Sequence, residues 1–240
     1  MRHTYLGMLS FPQRHARNLT LSASGNPFYD ASTSPLLTFT GTPVTQPIDH
    51  TTVPLIDISG LRSGELSQRQ AVARELRKAC ENSGFFYIKN HGIAPVLIEQ
   101  VLAETASFFD QPEEKKLAVS KSKSKCNRGY EPLRAQTLEA GAPPDLKESF
   151  YLGIDLPEDH PSVKAGKFNH GPNQWPEDLP DFRRVTTAYF GALYELGGIM
   201  MRGLALSLDL PENHFDDFLD DATANLRLLH YPPQPVIAQP

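Results

Sequence analysis

The sequence predicts a mixed α/β (α+β) fold, and three patterns along the chain support that prediction. Between residues 53 and 119, short apolar runs alternate with segments whose apolar residues recur at helical spacing. A long helical face starts at Asp181 and continues to about Asp209. A final apolar strand pattern covers residues 224–231. Strands that alternate with helices are typical of α/β units, so the chain is expected to fold around packed layers of both.

The net charge, the apolar runs and the cysteines of the chain limit the classes of function that can be expected. The formal net charge is −5, which gives no electrostatic reason to expect nucleic-acid binding. No run approaches the roughly 18 consecutive apolar residues of a membrane-spanning helix, so no membrane partner is expected. The two cysteines, Cys80 and Cys126, have no metal-type spacing, and Cys80 is expected to be buried on an apolar helix face. Without secretory features, these thiols indicate a reducing, cytoplasmic compartment.

Residues 1–50 differ from the rest of the chain. They contain no Lys and no Glu, and they are rich in Ser and Thr. This composition is typical of a disordered arm and also of an organelle-targeting peptide, so both alternatives stay open.

The folded body is predicted to start at Val53. The expected strands are 53–58, 85–88, 148–152 and 224–231, with 85–88 buried. Five helices are expected. The first follows a Ser67/Gln70 capping box, the second begins at Pro95, and the third covers Glu113–Val119. The fourth begins at an Asp181 cap and the fifth at Pro211. Lys121–Lys125 is expected to be a solvated linker.

Several segments occur in the order found in one enzyme family: VPLIDISGL, GFFYIKNHGI, FFDQPEEKKL, NRGYEPL, DLKESFYLGIDLP, GPNQWPEDLPDFR and NLRLLHYPP. Together they span about residues 53–233. This chain resembles the N-terminal part of iron- and 2-oxoglutarate-dependent dioxygenases of the isopenicillin N synthase type. The resemblance implies an α-rich cap over 51–223, preceded by the arm, and the first strand of an incomplete double-stranded β-helix (jelly roll) in 224–240.

The resemblance also implies a chemistry. The family uses Fe(II), dioxygen and usually 2-oxoglutarate to oxidise a small-molecule substrate, with iron held by two His and one carboxylate. In the family these ligands follow the strand that ends at Tyr231. We therefore expect no catalytic or metal residue here, no tight binding of Fe(II) or 2-oxoglutarate, and no activity of this chain by itself. The alternative is a non-catalytic binding or interaction protein derived from the dioxygenase cap.

Two histidines could be mistaken for iron ligands. His214-Phe215-Asp216 is literally an H-x-D, but it lies in a predicted helix, where residues i and i+2 point about 200° apart. His91 lies in the predicted Asn90-His91-Gly92 turn, where a turn-stabilising hydrogen bond is expected.

Three residues are candidates for the wall of a substrate or co-substrate site. By resemblance, Tyr231 matches a tyrosine that contacts a carboxylate, while Leu229 replaces a frequent Asn of the family. Arg128 and Tyr130 lie in a loop that reaches substrate in related proteins. The alternatives are a salt bridge from Arg128 to a local acid such as Glu131 and a plain buried role for Tyr231.

The last strand carries one further expectation. Both of its faces are largely apolar, and most of its pairing partners in a closed β-helix are expected to be missing. An unpaired strand is a template for association, so self-association through this strand is expected.

Overall fold

The computed structural model describes residues 4–6, 53–135, 145–220 and 222–233, and for 4–6 the backbone only. The strands are β1 (Thr4–Leu6), β2 (Leu55–Asp57), β3 (Tyr87–Lys89), β4 (Gly129–Glu131), β5 (Glu148–Gly153) and β6 (Asn225–His230). The helices are α1 (Leu66–Asn82), α2 (Pro95–Phe109), α3 (Glu113–Ala118), α4 (Pro161–Lys164) and α5 (Pro180–Ser207). The predicted mixed α/β fold is confirmed.

Two sheets organise these elements. The larger sheet is antiparallel and has the strand order β1-β6-β5-β4, while β2 and β3 form a separate parallel pair. The parallel pair is possible because α1 supplies the long crossover that parallel strands need. No helix of the described residues is long and apolar enough to cross a membrane.

Helix α5 joins the two halves of the molecule, because it packs against both α1 and α2. One apolar cluster lies between α2, α5 and the larger sheet, and its centre contains Phe108, Phe150 and Phe182. The three rings lie 4.9 to 5.1 Å apart between centroids, within the range of favourable aromatic pairs. A second cluster around Ile58 and Leu76 lies between α1, α5 and the parallel strands.

Two features of the first helix and the strand after it differ from expectation. The predicted capping box does not form, because α1 begins at Leu66 and its N-cap residue, Glu65, makes no side-chain cap bond. The strand predicted as buried is largely exposed: Phe85 is 69% and Tyr87 66% accessible. A two-stranded sheet offers little cover, so an apolar run does not guarantee burial. Cys80 is exposed as well, and Cys126 is the buried thiol.

The boundaries of the later helices also differ. Asp181 is not the cap of α5 but lies in its first turn, where it accepts hydrogen bonds from Arg184. The predicted α-helix at Pro211 is wrong, since that segment forms turns and a 3-10 helix at Asp216–Phe218. The segment predicted as a linker contains a 3-10 turn, Lys121–Lys123.

Strand β6 is a central strand rather than an unpaired one. It pairs along its whole length with β5, from Glu148↔His230 to Gly153↔Asn225. On its other side, Leu228–His230 pairs with β1. The expectation that most of its partners are missing is therefore wrong for the described residues. β1 also lies inside the predicted arm, whose other residues are outside the described ones.

Candidate functional site

Strand register divides the larger sheet into an inner and an outer face. Tyr130, Phe150 and Leu228 are direct partners across three strands, and they face the apolar core. The opposite face, which we call the outer face, carries the intervening residues. These are Glu131, Ser149, Tyr151, Arg227 and Leu229. The sheet therefore places a polar, charged array on the side away from the helices.

The outer face centres on the Glu131 carboxylate. It accepts hydrogen bonds from Lys121 Nζ at 3.0 Å and from the Tyr151 hydroxyl at 2.9 Å. The Arg227 guanidinium lies 3.5 Å away. Burial by itself raises the pKa of Glu131, but the Lys121 and Tyr151 hydrogen bonds and the two cations outweigh it and lower the pKa. Glu131 is therefore an ionised acceptor at neutral pH.

Two cations also flank the Tyr151 ring. Lys121 Nζ lies 4.3 Å and Arg227 Cζ 4.8 Å from its centroid, both within cation–π range. Arg227 also donates from Nε and Nη2 to Ser149 Oγ at 3.1 and 2.8 Å. These contacts fix the planar guanidinium and the aromatic ring against each other. Such an array can orient a planar or acidic group of a small molecule.

Tyr231, the first predicted wall residue, directly follows β6 and is 38% exposed. The alternative of a plain buried tyrosine is therefore wrong. Its contact with a substrate or co-substrate stays a prediction.

Tyr130, the second predicted wall residue, lies on the inner face and is 2% exposed. Its hydroxyl donates to Glu148 Oε2 at 2.6 Å. Burial and this neighbouring carboxylate raise the pKa of Tyr130 far above its ordinary value. In this structure Tyr130 belongs to the core, so its predicted place in a substrate wall is not supported by its position.

Glu148 is a buried acid with three donors. Lys116 Nζ lies 2.7 Å from Oε2, and His230 Nδ1 donates to Oε1 at 2.7 Å. The His230 ring stacks on Phe109 with centroids 5.4 Å apart. Burial raises the pKa of Glu148, but the hydrogen bonds from Lys116, Tyr130 and His230 and the charge of Lys116 outweigh it and lower the pKa. This network fixes the end of β6 directly before Tyr231.

Arg128, the third predicted wall residue, is 1% exposed. Its Nη1 donates to Asn225 Oδ1 at 2.6 Å, at the start of β6. The alternative salt bridge to Glu131 does not form, because Glu131 lies on the outer face with Lys121. Six residues of strand, about 20 Å, separate Asn225 from Tyr231. The structure therefore does not bring Arg128 and Tyr231 into one wall.

The two histidines that could be mistaken for iron ligands, His91 and His214, make other contacts in the structure. Asp216 is held by Arg202 through two hydrogen bonds of 3.0 and 2.9 Å, which lower its pKa, and His214 packs against Phe215. Asp216 is therefore unavailable to a metal because it is paired with Arg202, and not because His214 and Asp216 lie on an α-helix. His91 Nδ1 accepts a hydrogen bond from the Ile93 amide at 3.2 Å, which confirms its predicted role in the turn.

The family implies an iron centre, which needs three protein ligands close together. Within the described ranges, no group of three His, Cys, Asp or Glu side chains is close enough to hold a metal ion. Glu148 and His230 are adjacent, but Lys116 occupies the same carboxylate. The described residues therefore do not fit an iron centre.

Sequence reasoning missed the Glu148 network and the outer-face array. One signal for the first was available, because Glu148 alternates with Phe150 and Leu152 on β5. An acid in phase with core residues predicts a buried carboxylate. The partners Lys116 and His230 are 32 and 82 residues away, and no local pattern indicates them.

Comparisons with known proteins agree with this architecture. Residues 53–178, slightly more than half of the chain, match the family described as non-haem dioxygenase in morphine synthesis N-terminal. The 2-oxoglutarate-Fe(II) type oxidoreductase hxnY of Emericella nidulans is 40% identical over 188 residues, covering 77% of this chain and 54% of that protein. The 2-oxoglutarate-dependent dioxygenase tropC of Talaromyces stipitatus is 40% identical over 192 residues, covering 76% of this chain and 58% of that protein.

A solved structure shares the fold. It is a full-length Neurospora crassa protein in complex with alpha-KG and 5-formyluracil, with a TM-score of 0.60 and 34% identity. The match covers 78% of this chain and 54% of that one. This chain thus spans about half the length of the relatives it matches. It belongs to the iron- and 2-oxoglutarate-dependent dioxygenase superfamily, of which it carries the non-haem dioxygenase N-terminal region.

Proposed function

We propose that this chain is the substrate-facing N-terminal part of an Fe(II)- and 2-oxoglutarate-dependent dioxygenase that oxidises a small molecule. The observation that carries the proposal is the polar outer face of the larger sheet, found on a chain of this family. Residues 51–223 form the N-terminal region and 224–240 begin the oxygenase domain. The Neurospora crassa complex, with alpha-KG and a pyrimidine, supports a small substrate.

In this proposal the chain contributes binding and orientation. The Arg227 guanidinium and the Tyr151 ring form a rigid planar surface, because Ser149 and Glu131 hold them. Tyr231 adds a partly exposed aromatic side chain beyond the end of β6. An ionised or carbonyl-bearing substrate would be oriented by Arg227 and its ring by Tyr151. The iron would supply dioxygen activation, and its ligands are residues other than the described ones.

The chain 1–240 alone is then expected to bind Fe(II) and 2-oxoglutarate weakly and to form no succinate. The test measures anaerobic Fe(II) binding and succinate formation from 2-oxoglutarate. It compares chain 1–240 with the same chain joined to the sequence after codon 240 of the gene, if that sequence encodes an H-x-D pair and a further His. Succinate formed only by the joined protein supports the proposal. Stoichiometric binding of Fe(II) to chain 1–240 contradicts the proposal that this chain orients the substrate and does not hold the iron.

A matched pair of variants tests the outer face in the joined protein. Arg227→Gln is expected to raise the KM for the substrate by about tenfold or more, since a charge-assisted hydrogen bond contributes about 1.5–3 kcal/mol. Arg202→Gln, which removes a guanidinium paired with Asp216 elsewhere on the surface, is the control and leaves KM unchanged. A joined protein with no oxidase activity, in spite of an H-x-D and a further His in its sequence, favours the binding-protein alternative.

A further inference from the structure

Arg128 is a buried cation whose hydrogen-bond partners are neutral. Its Nη1 donates to Cys126 O at 3.0 Å and to Asn225 Oδ1 at 2.6 Å, and its Nη2 donates to Asn169 O at 2.7 Å. Among the described residues, no carboxylate forms an ion pair with it. A guanidinium with 1% exposure therefore keeps its positive charge with only carbonyl dipoles as hydrogen-bond partners.

One donor of this guanidinium is also unused. Arg128 Nε is buried and has no hydrogen-bond partner in the described part of the chain. A buried N–H without an acceptor costs about 1–3 kcal/mol, more when the group is charged. Burial is also the main reason that the pKa of Arg128 lies below its ordinary value, and the charge of the more distant Asp155 carboxylate opposes this effect only in part. An acceptor that carries negative charge would remove both costs.

A cavity of about 90 Å³ lies beside Arg128. Its wall combines apolar side chains, Ile154 and Leu156, with the polar residues His160 and Asn169. A cavity needs about 10–15 Å³ of such space to hold one water molecule, so this one has room for several water-sized groups. A carboxylate group, with one carbon and two oxygens, fits within it.

His160 supplies a second donor at this cavity. Its Nδ1 accepts a hydrogen bond from the Ser162 amide at 3.2 Å, as the N-cap of α4. In the neutral ring the proton is therefore on Nε2. Two N–H groups, Arg128 Nε and His160 Nε2, thus belong to residues that line one small space.

We propose that this cavity is a binding site for a small monocarboxylate, which accepts hydrogen bonds from Arg128 Nε and His160 Nε2. A single negative charge fits better than a doubly charged anion, because Asp220 also lines the cavity and repels anions. The site lies at the start of β6, about 20 Å along the strand from Tyr231. Its lining shares no residue with the proposed substrate surface of Arg227, Tyr151 and Tyr231, and its test does not depend on the proposed function.

The direct test follows the Arg128 Nε–H signal by NMR on chain 1–240 with ¹⁵N-labelled arginine. Sodium acetate is titrated at constant ionic strength, with sodium chloride as the balancing salt. Saturable movement of this one Nε–H signal is the expected result. No saturable movement means that the cavity holds water only, and this overturns the proposal. A separate titration with sodium chloride alone is the control. If chloride moves the same signal to the same saturating extent, the assignment to a carboxylate is wrong.

Three variants locate the binding without removing Arg128. His160→Ser keeps an N-cap acceptor for the Ser162 amide but removes the ring donor, and it is expected to weaken acetate binding about tenfold or more. Asp220→Asn removes the repelling charge and is expected to tighten binding about two- to fivefold. Asp217→Asn, an exposed acid that does not line the cavity, is the control with unchanged affinity. Acetate binding that neither of the first two variants alters places the ligand elsewhere and overturns the proposal.

Discussion

The buried Lys116–Glu148 pair gives the sharpest stability prediction. Lys116 is 8% and Glu148 6% exposed, and their charged atoms lie 2.7 Å apart. Replacing Lys116 by Met keeps the length and apolar stem of the side chain but removes its charge. Glu148 then remains a buried carboxylate with the Tyr130 hydroxyl and the His230 ring as its donors.

Breaking a buried ion pair by removing one partner costs about 3–5 kcal/mol, because the other charge stays in a poorly solvated place. Since two donors to Glu148 remain, we expect Lys116→Met to cost about 3 kcal/mol. Domains of this kind are stable by about 5–15 kcal/mol in total, so the change is a large share. Urea denaturation followed by circular dichroism at pH 7 measures it.

The neighbouring residue supplies the matched control. Lys115 lies on the same helix and pairs with Asp178, but the two side chains are 54% and 40% exposed. An exposed pair contributes about 0–1 kcal/mol, so Lys115→Met should cost that much or less. A Lys116→Met loss no larger than the Lys115→Met loss would refute the reasoning. Adding Glu148→Gln to Lys116→Met should recover part of the loss, since no unpaired charge is then buried.

Three further outcomes are expected. The pKa of folded Glu148 lies below its ordinary value of 4.5. Its contribution to stability is therefore present above about pH 4.5 and is lost as pH falls through the folded pKa. In Lys116→Met this loss should begin at a higher pH, which an acid titration followed by circular dichroism measures. Gly153→Ala should lower the free energy of unfolding by about 1–3 kcal/mol in urea denaturation, because the new Cβ would lie 2.3 Å from the buried Arg128 guanidinium. Gly191→Ala, where no atom lies within 4 Å of the new Cβ, should stabilise α5 by up to about 1 kcal/mol. Equal effects of the two variants would contradict this prediction. Deleting β1 uncovers one edge of β6 and should cause concentration-dependent self-association in size-exclusion chromatography, and a monomer at every concentration would contradict it.

The position of most regular elements was available from the sequence. The run Glu148–Leu152 predicts β5, the helical spacing after Asp181 predicts α5, and Asn225–His230 lies inside the strand expected at 224–231. Such patterns are local, because each apolar residue reports which side of its own element is buried. The ordered motifs likewise indicate the family, because each motif is a local run of residues.

Burial of a particular side chain was less predictable. Phe85 and Tyr87 are apolar or aromatic and yet exposed, while Lys116 and Arg128 are charged and yet buried. Whether a side chain is covered depends on which distant segment packs over it. That information is not contained in its own neighbourhood of the sequence.

The sequence by itself determined the family and the mixed fold, but it placed Tyr231 inside the last strand, which in the structure ends at His230. The tertiary structure decided which charges meet. Only the β4–β5–β6 register places Glu131 beside Arg227 on the outer face and Glu148 beside His230 on the inner one. These pairs join residues about 80 to 100 positions apart, and a register shift of a single residue would exchange the two faces. The physical reason is that charge pairing is set by through-space distances, whereas sequence patterns report only the periodicity of one element.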